Sequence, residues 1–399
     1  MAGNGNLMAG RPKKLLMVIS TLEGGGAERV VTYLLRFLDR RRVAPVLVLL
    51  QEKIDYAPDL PADVRVVCLS RGSIRNLPRL LLGLVRVMRK ERPDLVVSFL
   101  TFANLLTILA HRLAGVEAGL LVSERNHVSR SLDHVRLGGV KKLLVRLLYR
   151  RPHRILGVSR GVCRDLTGNF GVEAARCLAI PNPCDLERIA HRSRQPADHP
   201  WFQEDLPVFV AVGRLTRQKN YPLLLKAAAL ARADAPLRLM ILGAGELRRE
   251  LEALAGSLGI ADAVAFLGFR ENPFAYLARA RGLVLSSSWE GFPNVLLEAM
   301  ALSAPVIATR CPSGPEEIIT HGVNGLLAPV DDPPALAAAL TLLGTDADLA
   351  GRLGKAGRLR VEDFQVGLMV REYETVFGEA WRGAAGEPAP LQSPGEVRP

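Results

Sequence analysis

Gly282–Ala301 reads G-L-V-L-S-S-S-W-E-G-F-P-N-V-L-L-E-A-M-A. Leu283–Leu285 is a short apolar run, the pattern of a buried parallel strand. Ser286–Ser288 and Gly291 break that run, and Pro293 suits the first turn of a following helix. Glu290 therefore falls in the loop at the carboxyl end of a strand, and Glu298 about one turn into the helix. Open α/β sheets bind ligands at this edge, where unpaired N–H groups at helix starts favour anions. A carboxylate repels phosphate but accepts hydrogen bonds from sugar hydroxyls. Two carboxylates around an anion-binding loop thus suit a ligand that is part phosphate and part sugar. Taken alone, such a pair is more often a solvated Glu beside a Glu on a helix's polar face.

Strands and helices alternate on both sides of this stretch. Lys14–Ser20 reads as a buried first strand, followed by T-L-E-G-G-G-A-E-R-V. Gly24–Gly26 lets the backbone approach a ligand, and Ala27–Leu38 has helical periodicity. Strand, glycine-rich turn and helix open a doubly wound domain. The turn cradles a phosphate or sugar, or is a tight turn and no more. Further strands are expected at Pro45–Leu50, Val64–Leu69, Leu95–Phe99, Gly119–Val122 and Arg154–Val158, with helices at Leu77–Lys90, Asn104–Leu113 and Ser159–Phe170. S-E-R-N-H (123–127) ends one strand and so points toward a cleft. A second domain opens with Val208–Val212, Gly213, Arg214 and Lys219. Two cations after a strand turn are what a diphosphate needs, a planar fork of donors and a mobile point charge. The strand Leu237–Leu242 ends in G-A-G-E (243–246), a fold marker that lacks the rest of a dinucleotide fingerprint. Further strands are expected at Val264–Phe266 and Pro305–Ala308.

E-G-F-P-N-V-L-L-E after a strand resembles the E-x(7)-E signature of the retaining glycosyltransferases of family 4, which have the two-domain GT-B fold. The resemblance covers roughly residues 14–380. It implies that Glu298 holds the ribose of a sugar nucleotide, while Glu290 with Gly291, Phe292, Asn294 and Val295 addresses the donor sugar and diphosphate. V-G-R-L-x-x-x-K-N is typical of the family, which assigns Arg214 and Lys219 to the diphosphate, beside Gly213. G-G-A-E-R-V resembles the opening of members acting on lipid-linked or surface sugars, which places Gly25 and Gly26 by the donor. In L-G-F-R-E-N-P, Phe269 and Arg270 stand where relatives hold the base. C-P-S-G-P-E-E-I-I resembles a Gly-rich acidic segment near the donor, so Gly314 and Glu317 join the candidates. Many relatives have a sugar-contacting histidine near 123–127. This sequence departs with Glu124, Arg125 and Asn126, although His127 is close by, and a loop salt bridge is the alternative there. C-L-A-I-P-N-P-C-D (177–185) resembles the strand and turn closing the first domain.

The chain has 399 residues, 49% of them apolar, enough for two domains with sizeable cores. Its formal charge of +12 is uneven: residues 1–190 hold 31 Lys/Arg against 16 Asp/Glu, residues 191–399 hold 21 against 24. The first half should therefore meet an anionic surface, membrane or nucleic acid. Five scattered cysteines without a C-x-x-C fit a reduced compartment without structural zinc. The N-terminus has no apolar core before its charges and is not read as a signal peptide. A cytoplasmic location follows as the expectation. Asp346-Ala-Asp348 matches the D-x-D of metal-dependent transferases, but it precedes a helical stretch where Asp favours capping. No metal and no cofactor are expected.

Val140, Leu143, Leu144, Leu147 and Leu148 recur at helical spacing on one face. Lys141, Lys142, Arg146 and Arg150 populate the other, with Arg151 and Arg154 beyond. The stretch is either a core-packing helix with a wet basic side or an interfacial helix on anionic lipid. Leu77–Lys90 repeats the pattern with Arg79, Arg86 and Lys90.

The expected organisation is α/β, two Rossmann-like doubly wound domains facing a cleft. Residues 1–12 form a flexible tail, 13–189 an acceptor-side domain, 190–206 a linker and 207–372 a nucleotide-sugar domain. Residues 373–382 cross back as a helix, and 383–399 form a disordered tail. The expected function is a retaining hexosyltransferase at the inner membrane face. It would use a nucleotide sugar, with UDP the expected nucleotide, and a lipid-linked or envelope glycan acceptor. A nucleotide-sugar epimerase is the same-fold alternative. A basic nucleic-acid-binding protein is the alternative of a different class, against which stand 5% aromatics and no reading motif.

Overall fold

The computed structural model describes residues 11–53, 60–72 and 76–383. Of the expected tails, 1–12 and 383–399, residues 1–10 and 384–399 lie outside the described residues, and Gly383 ends a helix. The first domain runs β1 (Lys13–Ile19), α1 (Gly26–Phe37), β2 (Val43–Leu49), β3 (Arg65–Cys68), α2 (Leu77–Glu91), β4 (Leu95–Phe99), α3 (Thr101–Ala114), β5 (Gly119–Glu124), α4 (Val128–Asp133), α5 (Gly138–Leu148), β6 (Arg154–Gly157), α6 (Arg160–Phe170) and β7 (Cys177–Ala179). Its seven strands are ordered β3-β2-β1-β4-β5-β6-β7. Neighbouring strands are parallel throughout, with Leu15 opposite both Pro45 and Leu95.

A helix, α7 (Leu186–Ser193), leads to the second domain. That domain comprises β8 (Val208–Val212), α8 (Tyr221–Asp234), β9 (Arg238–Leu242), α9 (Arg248–Ser257), β10 (Val264–Gly268), α10 (Phe274–Leu277), β11 (Gly282–Leu285), α11 (Asn294–Ala301), β12 (Val306–Thr309), α12 (Pro315–Ile318), β13 (Leu326–Ala328), α13 (Pro333–Thr345) and α14 (Ala347–Arg360). Its parallel sheet is ordered β10-β9-β8-β11-β12-β13. The strand order reverses at β1/β4 and again at β8/β11. Such switch points open a crevice at the carboxyl ends of the strands. Both crevices face the same interdomain cleft.

Central strands are apolar runs because helices cover both faces of a parallel sheet. Leu15–Ile19 and Leu95–Val97 are all fully buried. The expected linker boundary cuts through α7, whose Ile189 is buried with Cys184. An apolar cluster continues across this hinge through Cys184, Ile189, Phe274, Phe292, Leu297 and Phe364. The helix that crosses back, α15 (Val366–Gly383), starts before residue 373. Met369, Val370, Tyr373, Val376 and Phe377 insert into the first domain's core beside β1 and β4. These residues recur at helical spacing, which explains why the whole helix leaves the second domain as a unit.

Helix α5 turns only one edge of its expected apolar face to the core, where Leu144 and Leu148 pack partly buried. Val145 and the following Tyr149 are buried, whereas Val140, Leu143 and Leu147 are each more than half exposed. Lys142 reaches back to Asp133 at 2.5 Å, and Arg146 donates to the Asn169 carbonyl at 2.9 Å. An apolar stripe and a basic flank therefore share one solvent-facing surface. Among the described residues no helix is long and apolar enough to cross a membrane.

Candidate active site between the two sheets

A cleft of about 720 Å³ separates the switch points of the two sheets. From the first domain it is lined by the Gly24–Gly26 turn, Glu28, Arg29, Arg125, Asn126 and Asn182; from the second by Arg214, Gln218, Lys219, Glu290–Val295 and Glu298. Arg214 is exposed at the end of β8 and makes no ion pair among the described residues. Lys219 instead points at Glu290, with Nζ 2.6 Å from Oε1. Ser287 Oγ donates to the same oxygen at 2.6 Å, so the carboxylate is oriented by two donors. Glu298 is paired with Arg29, which reaches across from α1.

Glycines are required where backbones touch. A Cβ on Gly291 would collide with the Arg125 carbonyl, whose carbon would be 2.8 Å away. A Cβ on Gly243 would come within 2.8 Å of Gly213 C, and one on Gly245 within 2.7 Å of Leu215 N. The G-A-G turn after β9 therefore serves as the floor on which the Gly213–Leu215 backbone lies. Gly26 faces Asn294, whose Nδ2 would stand 3.1 Å from an added Cβ. Asn294 Oδ1 is buried without a partner among the described residues, an acceptor left for a ligand.

Other candidates fall elsewhere. Glu124 ends β5, and strand alternation turns it inward while Arg125 turns to the cleft. Thr101 Oγ1 and Asn104 Nδ2 each donate to it at 3.0 Å, and the Tyr149 hydroxyl also donates. Burial pushes its carboxyl up to about 7. Glu124 is thus a buried structural acid rather than a cleft residue. His127 caps α4, lies 3.3 Å from Asp165 and lines a separate cavity of about 700 Å³ with Arg130, Lys142 and Arg146. Phe269 is 73% exposed, and neither it nor Arg270 lines the cleft. The backbone beside them does reach the site's floor, since Gly243 N donates to the Gly268 carbonyl at 2.8 Å. Gly314 packs against the Glu290–Val295 loop, with an added Cβ 2.7 Å from Pro293 Cδ. Glu317 is engaged across the domain interface by Arg160 N and Gly161 N. Asp346 caps α14, accepting from Leu349 N at 2.8 Å.

Sequence reasoning missed Arg29, Glu28 and Asn182. Asn182 follows β7, accepts from Arg125 and donates to the Phe292 carbonyl at 3.0 Å, joining the domains. Its only signal was the P-N-P turn. Glu28 folds back over Gly25 near Arg214, and burial raises its carboxyl above the ordinary 4.5.

Residues 24–188 match the Glycosyltransferase Family 4 domain, and residues 194–360 match Glycosyl transferases group 1. The chain is 31% identical over 372 residues to the N-acetylgalactosamine-N,N'-diacetylbacillosaminyl-diphospho-undecaprenol 4-alpha-N-acetylgalactosaminyltransferase of Campylobacter jejuni, covering 90% of this chain and 98% of that one. It is 28% identical to a second enzyme of that organism, the GalNAc-alpha-(1->4)-GalNAc-alpha-(1->3)-diNAcBac-PP-undecaprenol alpha-1,4-N-acetyl-D-galactosaminyltransferase, over 92% and 98% of the two chains. Anabaena HepE, solved with UDP and glucose, superposes with a TM-score of 0.78 at 19% identity, over 92% of this chain and 99% of its own. Two parallel-sheet domains facing a cleft, both domain matches and full-length relatives together make this chain a member of the family 4 glycosyltransferases with the GT-B fold.

Proposed function

We propose that the protein is a retaining glycosyltransferase that moves a hexose or N-acetylhexosamine from a UDP-sugar to a lipid-linked or envelope glycan at the inner membrane face. The observation that carries this reading is the convergence of Arg214, Lys219, Glu290 and Glu298 on one cleft opposite the Gly24–Gly26 turn. Both Campylobacter relatives are named for undecaprenol-linked acceptors and α linkages, which supports the acceptor class and retention. HepE's complex with UDP supports the nucleotide. The epimerase alternative finds no support among these relatives.

As the anomeric bond breaks, negative charge grows on the leaving diphosphate. Arg214 and Lys219 stabilise that charge, and preorganised donors of this kind act most strongly on charge developing in the transition state. Lys219 then shares its ammonium between phosphate and Glu290. Glu298 accepts the ribose hydroxyls once Arg29 yields part of its carboxylate. The acceptor hydroxyl enters on the face the phosphate leaves, and that phosphate takes its proton, so no enzyme nucleophile is needed. Charge neutralisation is assigned to these cations rather than to a metal. Docking is assigned to α5, whose exposed Val140, Leu143 and Leu147 flank Lys141, Lys142, Arg146, Arg150 and Arg151. An apolar stripe with a basic border suits an anionic lipid interface. Nucleic-acid binding is not part of this reading.

A screen of sugar nucleotides by thermal shift tests the proposal, with the product's anomeric configuration read by NMR. A ligand at about 100 times its Kd adds roughly 2.7 kcal/mol of apparent stability. Failure of UDP and every UDP-sugar to raise Tm would overturn the donor assignment.

A further inference from the structure

Glu317 belongs to the second domain, yet its carboxylate is bound by the first. Oε2 accepts from Arg160 N at 2.8 Å and Oε1 from Gly161 N at 2.8 Å. These are the first two amides of α6, orphan donors that carry the helix's partial positive charge. The third, Val162 N, donates to Ser159 Oγ at 3.1 Å. One helix start is therefore capped jointly, by its own Ser159 and by a carboxylate from the other domain.

The same contact continues to the donor loop. A Cβ on Gly161 would stand 2.6 Å from Ser313 Cα, so the two backbones touch and only glycine fits. Ser313 Oγ donates to the Glu290 carbonyl at 2.6 Å. Ser313 has φ 62° and Gly314 φ 91°. Positive φ is uncommon for residues other than glycine, so this turn is held by its surroundings. The Glu317 carbonyl is fixed in turn by Arg360 Nη2 at 2.8 Å. Two successive contacts, Gly161 to Ser313 and Ser313 to Glu290, thus connect α6 to the loop that carries Glu290, beside the Glu317 bonds.

We propose that Glu317 is a positioning residue for glycosyl transfer: it latches the second domain onto the start of α6 and, through Ser313, sets the Glu290 loop in the closed cleft. The inference rests on the reading of that cleft as the sugar-nucleotide site. A carboxylate is required because it presents two acceptors to two converging amides, whereas glutamine presents one acceptor and turns an NH₂ against the other amide. A loop displaced by about an ångström from the reacting geometry loses on the order of 10²-fold in rate.

The test uses the full chain and two independent variants, Glu317→Gln and Gly161→Ala, with Glu316→Gln as control. Glu316 pairs with Arg310 at 2.6 Å on the surface and touches neither α6 nor the cleft. Both test variants should lower kcat by about 10²-fold for the UDP-sugar selected by thermal shift, while UDP Kd by calorimetry stays within about twofold, the split expected of a residue that sets the reacting geometry without touching UDP. Small-angle scattering should show a larger radius of gyration for both, with no change for Glu316→Gln. If UDP affinity falls in step with kcat, Glu317 is a donor-binding residue and the latch is wrong. Wild-type kcat and an unchanged radius in both variants would also overturn it. Should Glu317→Gln melt near assay temperature, Gly161→Ala, which keeps every native side chain, decides. A wild-type protein that binds no UDP defeats the functional reading instead, and scattering alone then judges the latch.

Discussion

Lys219 Nζ lies 2.6 Å from Glu290 Oε1, a close ion pair at the mouth of β8 and β11 whose side chains are 18% and 8% exposed. A cation assigned to the donor's diphosphate and a carboxylate assigned to its sugar are thus joined to each other. The pair holds both groups in their working places, and it makes removal of either one a stability matter as well as a catalytic one.

Arg214→Ala and Lys219→Ala should each slow transfer by about 10²–10³-fold, the scale for losing one transition-state donor. They should differ in folding. Lys219→Ala leaves Glu290 buried without its cation and should cost about 3 kcal/mol, the lower range for a broken buried pair. Arg214→Ala removes an exposed side chain and should leave the urea midpoint unchanged. Near-normal turnover at saturating donor in either variant would count against the diphosphate assignment.

Glu298→Gln should weaken UDP binding, whereas Glu290→Gln should mainly lower kcat. Charge-assisted hydrogen bonds to ribose are worth about 1.5–3 kcal/mol when buried, and an amide loses part of that. Arg29 pairs with Glu298 and so competes with ribose for it, and Arg29→Met should release the carboxylate and tighten UDP. Calorimetry that returns one Kd for wild type and Glu298→Gln would remove the ribose role.

Glu124 offers a pH signature. Burial raises its folded pKa to about 7 from an ordinary 4.5. The folded state then binds the extra proton between those values, so stability is highest below pH 4.5 on this account and falls as pH rises through 7. The full effect is about 3 kcal/mol at 1.36 kcal/mol per unit. Glutamine can keep the Asn104 and Tyr149 bonds at its oxygen and donate to a reversed Thr101 hydroxyl. Glu124→Gln should therefore flatten the pH dependence between 5 and 8 in urea titrations, relative to wild type. Parallel profiles for the two proteins would show that Glu124 does not titrate there.

Replacing Lys141, Lys142 and Arg146 with Glu should abolish co-sedimentation with anionic liposomes and leave UDP binding intact. Each Lys or Arg near such a surface contributes roughly 1 kcal/mol, screened within about 8 Å at physiological salt. Leu143→Ser with Leu147→Ser should weaken the same binding without removing its salt dependence. Co-sedimentation indifferent to lipid charge and to these residues would return α5 to an ordinary surface helix.

The sequence by itself determined both sheets. Short apolar runs separated by helical periodicity admit few arrangements other than parallel strands covered on both faces, and most strand ends fall within a residue or two of expectation. It also placed Arg214, Lys219 and Glu290 in the turns after strands and Glu298 in the helix that follows, because a ligand edge is a local property of each strand–turn–helix unit. Tertiary structure decided what those units face. Glu124 and Arg125 are neighbours in sequence, yet strand alternation buries one and opens the other to the cleft. Val140, Leu143 and Leu147 share a helical face, yet Val145 and Tyr149 meet the core, since periodicity defines a face without saying what covers it. The partners of Glu298 and Glu317 lie 269 and 157 positions away, at Arg29 and Arg160. Such long-range pairs arise only when the two domains close, and no local pattern encodes them.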